Sequence, residues 1–188
     1  MSYEYYAENH DWDLTLRASW NLVMAGQAVK EKSEFVFSFF TGGMLLSFCA
    51  IESFINSTAF VMSGHERYSG FNYGKYVRQS SFWNRFKMLG PHLGIKVDTS
   101  REPFRMVEEM RVWRNALVHS SPYSVEPTKL QHTNDSRILH DRFRSKEYAR
   151  DVTVTRAKSF YECAYQVIEL VKNASGLEPR AMCSYKVL

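Results

Sequence analysis

Residues 35–62 read FVFSFFTGGMLLSFCAIESFINSTAFVM, and this run decides how the chain folds. Its only charge is Glu52. A run so apolar is either a membrane span or the buried central helix of a bundle. The interruptions choose between the two. Ser38, Thr41, Gly42, Gly43, Ser47, Ser53, Asn56, Ser57 and Thr58 are more polar and small residues than a lipid-facing helix carries. The run is therefore expected to be a central helix of a soluble protein with no membrane partner, and Gly42-Gly43 a bend or a late start. A helix that is apolar all round needs other helices to cover it.

The flanks supply those helices. Upstream, Trp12 to about Lys32 has Asp11 or Asp13 as a cap and Ala18, Leu22, Ala25 and Val29 as an apolar stripe. Downstream, Ser63-Gly64 and the polar stretch to Ser80 read as a connection. A short helix from Ser81 to Leu89 stops at Gly90-Pro91. Thr99 and Glu102 then have capping-box spacing, Pro103 suits a first turn, and Pro122 closes the element. The last helix runs from Thr153 to about Asn173, with Ala157, Phe160, Ala164, Ile168 and Val171 on one side and Gly176 beyond its end. No hairpin signal stands out. The expected fold is all-α: an up-and-down bundle of four or five helices in a single domain, residues 1–188. A long loop insertion, about 120–152, precedes the last helix.

Composition narrows the class. A hydrophobic share of 45% and an aromatic share of 15% exclude a disordered chain. The net charge of +4 permits an anionic partner such as RNA without requiring one. Cys49, Cys163 and Cys183 are far apart and odd in number, and none has metal-ligand spacing, which fits a reduced cytoplasmic setting. The acidic, aromatic start Met1-Ser2-Tyr3-Glu4-Tyr5-Tyr6 does not read as a signal peptide.

One short stretch carries chemistry: Arg114-Asn115-Ala116-Leu117-Val118-His119, at the end of a well-signalled helix. A second spaced Arg/His pair, Arg85 and His92, has Phe86 after the arginine and Gly90-Pro91 before the histidine, which breaks the context. The Arg114 stretch has a polar residue after the arginine and an apolar spacer. In this it resembles the HEPN superfamily of helical-bundle domains, many of them ribonucleases that need no metal. Ala50-Ile51-Glu52-Ser53-Phe54-Ile55-Asn56 is similar, more loosely, to second-helix segments of that superfamily. The resemblance implies a homodimer in which Arg114 and His119 are catalytic and Asn115 accompanies them. One branch of the superfamily carries a Tyr two positions after the His; Ser121 stands there in this chain, so the partnership tied to that Tyr is not implied.

The chemistry suits the residue types. RNA brings its own nucleophile, the 2′-hydroxyl, and cleavage needs a base, an acid and positive charge on the phosphate. His titrates near neutrality and serves as base or acid. Arg offers a fixed fork of donors to phosphate oxygens. No metal and no cofactor are required. The function expected is thus a metal-independent endoribonuclease, as in a toxin or defence protein that acts with an antitoxin or other regulatory protein. The alternatives are a non-catalytic HEPN-like module binding RNA, nucleotide or protein, and a structural helical dimerisation protein.

Helical geometry adds supporting residues. Arg114 shares its side of the helix with Val107, Met110, Leu117 and Val118, and Glu52 lies among Leu45, Phe48, Ile55 and Ala59. Charges so placed are costly unless paired. Glu52 is therefore expected to fix the Arg114 fork, with Asn56 one turn along; a purely structural ion pair is the plainer reading. A basic stretch in the insertion, Arg137, Arg142, Arg144, Lys146 and Arg150 against Asp141 and Glu147, is expected to touch RNA, with a solvated charge run as its plainer alternative. Arg114 and His119 are five positions apart, which separates them by roughly 140° on a straight helix. A two-fold axis would bring a second copy of each to a shared cleft.

Overall fold

The run at 35–62 belongs to one unbroken helix. The computed structural model describes residues 3–8, 10–29, 34–119, 149, 151–180 and 182–187. Among them the helices are α1 (Trp12–Ala28), α2 (Glu34–Ser63), α3 (Tyr73–Val77), α4 (Phe82–Leu93), α5 (Phe104–Val118) and α6 (Val154–Ser175). The protein is an all-α bundle, as its sequence implies. A two-stranded antiparallel ribbon joins its ends, β1 (Tyr3–Glu8) on β2 (Met182–Val187). These strands come from opposite ends of the chain, so no turn signal announces their pairing.

α2 is the axis of the bundle, touching α1, α3, α4, α5 and α6. By length and composition Phe35–Ser63 could cross a membrane. In the fold it brings Met44, Ile51, Phe54 and Ile55 to almost complete burial. Around it α1, α2, α5 and α6 alternate up and down. Gly26 lies against Phe40 and Ser19 against Gly43, which makes α1 and α2 antiparallel. Pro103 meets Cys163 and Glu109 meets Arg156, which does the same for α5 and α6.

The α1–α2 seam corrects the expected stripe. The buried positions of α1 are Leu16, Ser19, Val23 and Gly26, not Ala18, Leu22, Ala25 and Val29. Small residues let the backbones approach. A Cβ on Gly43 would lie 2.7 Å from Val23 Cγ2 and 3.2 Å from the Ser19 carbonyl oxygen. A Cβ on Gly26 would lie 2.7 Å from the Phe40 ring. Gly42-Gly43 is thus a point of close approach rather than a bend or a start. The seam's hydroxyls are satisfied internally: Ser19 and Ser47 both donate to the Gly43 carbonyl, at 2.8 and 2.9 Å, and lie 2.7 Å from each other.

The caps show why the other elements begin and end where they do. Ser81 Oγ accepts from Asn84 N–H to start α4. That helix passes through Pro91 and ends at Leu93, where Gly94 takes a left-handed φ of 67°. It therefore outruns the expected stop at Gly90-Pro91. At α5 the cap position is Pro103, and the Glu102 carboxylate accepts from Met106 N–H at 3.2 Å, so Thr99 takes no part. Thr153 Oγ1 caps α6 by accepting from Arg156 N–H at 3.1 Å, and Gly176 closes it at φ 67°. All five apolar residues expected on its inner side are buried. Of the expected insertion, about 120–152, only residues 149, 151 and 152 fall within the described set.

Candidate functional site

The central part of α2 turns Cys49, Glu52 and Asn56 toward α3, α4 and α5. Glu52 is half-buried, and two arginines, Arg114 of α5 and Arg85 of α4, are near enough to act on it by charge. Burial pushes the Glu52 carboxyl above its ordinary pKa, while Arg114 and then Arg85 pull it back by their charge. Among the described residues neither arginine forms an ion pair with Glu52 within 4.0 Å, so the expected direct Glu52–Arg114 contact is not formed. The three charges act on each other across a gap.

Each arginine is instead held by neutral groups. Arg114 Nη1 donates to Asn115 Oδ1 at 3.1 Å, and its Nε is buried with no hydrogen-bond partner among the described residues. Arg85 Nε donates to the Gln79 carbonyl at 2.8 Å, which ties it to the loop before α4. Arg85 Nη1 reaches Asn56 Oδ1 at 3.4 Å, and the same oxygen accepts from the Tyr76 hydroxyl at 2.7 Å. The Arg85 guanidinium lies 6.0 Å from the Tyr76 ring centroid. Burial raises the Tyr76 phenol pKa, with Arg85 acting the other way, so the phenol remains a donor. Cys49 is raised first by burial and then by Glu52, and lowered by Arg114, so it stays a thiol beside them.

His119 stands apart. It is the exposed cap residue of α5, at φ −105° and ψ 23°. Its N–H still donates to the Asn115 carbonyl at 3.0 Å, so the turn holds through this residue. Its direction therefore stays roughly 140° around the helix from Arg114. The helix end beside it is apolar and open, with Val112 53% and Val118 52% exposed.

The structure thus brings together Glu52, Asn56, Arg114 and Asn115 among the residues singled out in sequence. It adds Arg85, Tyr76 and Cys49, and leaves His119 at the rim. Arg85 has no local signature of this role; the signal it does carry is its place just before the buried Phe86, on a well-capped helix. Arg137, Arg142, Arg144, Lys146 and Arg150 lie outside the described residues. Among the described residues no group of three His, Cys, Asp or Glu side chains could hold a metal ion. A separate cavity of about 500 Å³ lies where α2 and α6 end, lined by His10, Phe60, His65, Leu177 and Arg180 among others, and shares no residue with this cluster. Comparison with protein-family models, with curated proteins and with solved structures finds no match to this chain.

Proposed function

We propose that the protein is a metal-independent endoribonuclease, cytoplasmic and homodimeric, of the kind used as a toxin or in defence. The observation that carries this reading is the charge arrangement around Glu52. Two half-buried arginines from different helices act by charge on one carboxylate, and neither forms an ion pair with it. The cluster has one positive charge more than it can neutralise internally, and an arginine is costly to hold away from water without an anion. A phosphodiester supplies that anion in the bidentate form a guanidinium prefers. Its neighbour on the same helix end is an exposed histidine.

The roles follow from the groups. Arg114 holds a non-bridging phosphate oxygen, and Asn115 keeps its fork in place. A histidine removes the 2′-hydroxyl proton, the 2′-oxygen attacks phosphorus, and the 5′-oxygen leaves with a proton. The products are a 2′,3′-cyclic phosphate and a 5′-hydroxyl, with no oxidant, metal or cofactor consumed. Since Arg114 and His119 diverge around α5, the reading needs a second chain to bring both to one phosphate.

The test is RNA cleavage in chelator. Wild type should cut and leave cyclic-phosphate ends, and His119→Ala should be slower by about 10²–10⁴-fold, the usual worth of a positioned acid or base. Cleavage by His119→Ala at the wild-type rate, or its loss on chelation, rejects the reading. Mixing Arg114→Ala with His119→Ala chains under exchange should restore activity if sites are shared; a confirmed heterodimer that stays inactive rejects the shared site.

A further inference from the structure

We propose that Arg85 is a second phosphate-binding residue, and that Arg85 and Arg114 both hold phosphates of a single RNA strand. This rests on the RNA reading above and adds to it a residue outside the Arg114–His119 stretch. Four observations carry it. Arg85 is half-buried and forms no ion pair with a carboxylate within 4.0 Å among the described residues. Its guanidinium is fixed at two points, by the Gln79 carbonyl through Nε and by Asn56 through Nη1. Such anchoring spends none of its charge and leaves Nη2 uncommitted among the described residues. Asn56 accepts two hydrogen bonds at Oδ1, from Tyr76 and Arg85, which turns its amide NH₂ away from both as a further donor. Glu52, one turn before Asn56 on α2, feels the charge of both Arg114 and Arg85, so one carboxylate offsets part of the repulsion between two guanidiniums and leaves a net positive charge for a ligand.

The arrangement reads chain rather than base. Guanidinium forks and an amide donor match phosphate oxygens. The ligand class is therefore the phosphodiester backbone of a single strand, bound through charge and showing little base preference.

The probe is a short fluorescent 2′-O-methyl RNA, which binds but cannot supply the nucleophile, followed by anisotropy across a salt series. Arg85→Gln should weaken binding about tenfold and reduce the salt slope by roughly 0.7, the counterion release of one single-strand phosphate. Arg85→Lys keeps the charge and should keep the slope while losing part of the affinity, a split that a purely structural role would not produce. Melting curves show whether each variant folds. If Arg85→Gln does not, Asn56→Asp, which offers Arg85 an internal anion, should weaken binding and lower the slope in its place. A folded Arg85→Gln with wild-type affinity and slope overturns the proposal, even where His119-dependent cleavage stands. RNA binding that depends on Arg85 in a protein that cuts nothing supports it while the nuclease reading fails. Failure of wild type to bind the probe overturns it, as does binding of ADP alone, which would assign the site to free nucleotides.

Discussion

Gly43 and Ser47 lie on one side of α2 and Glu52 and Asn56 on the other, about 180° around the helix, and the two sides meet their neighbours in opposite ways. Toward α1 there is no spare volume, and every hydroxyl of the Ser19–Ser47 pair is bonded within the seam. Toward α4 and α5 the charges stand off from one another, and a buried Arg114 nitrogen has no partner. Thr41 and Thr58 of α2 also bury unmet hydroxyls, but an unmet guanidinium nitrogen belongs to a charge and is the costlier of these. The contrast teaches where to look for function in such a bundle: at the face of the central helix where the fold leaves charges without direct partners.

The contrast breaks most sharply at Gly43. Gly43→Val should cost about 3 kcal/mol through overpacking against Val23 and the Ser19 carbonyl, read as a lower urea midpoint; a loss under about 1 kcal/mol would mean that the seam is loose. Ser47→Ala removes the hydroxyl shared with Ser19 and should cost about 1 kcal/mol. At Glu52 the sign reverses. Its folded pKa is raised, so the ionised carboxylate disfavours the folded state. Wild-type stability should therefore fall as pH rises from about 4.3, the ordinary Glu value, through the raised folded value. Glu52→Gln should remove that fall and be no less stable than wild type at neutral pH, while losing activity. A large destabilisation at pH 7 would instead reveal a direct ion pair. The smallest effect belongs to the exposed Asp13–Arg17 pair, 2.6 Å apart. Asp13→Ala should lower stability by about 0.3–0.5 kcal/mol and leave RNA cleavage unchanged.

Legibility in the sequence followed the same division. α6 was readable because its inner residues, Ala157 to Val171, are apolar and keep helical spacing. α1 misled because its contact face is built from Ser19 and Gly26, and apolar counting moves the stripe to the neighbouring residues. Size, not hydropathy, sets that face. Glu52 stood out as the single charge in an apolar run, and its place beside Arg114 was legible from the two helix faces. The stand-off between them was not, since a helical wheel carries no distances. Arg85 fails as an Arg/His pair in sequence, with Phe86 after it and Gly90-Pro91 before His92, and its proposed role depends instead on how α4 crosses α2.

The central place of α2 also has a consequence in time. Its amides around Glu52 and Asn56 lie in a helix touched by nearly every other element, so their hydrogen exchange should require opening of the whole molecule. His119 hangs from the last hydrogen-bonded turn of α5, and its amide should exchange by fraying, faster by orders of magnitude. The proposed anion cradle would then be as long-lived as the fold itself, while the histidine would sample positions continually. On the proposed function, the event that gates each turnover is the arrival of the helix end, and a partner protein that clamped Val118 would block cleavage without touching the cradle.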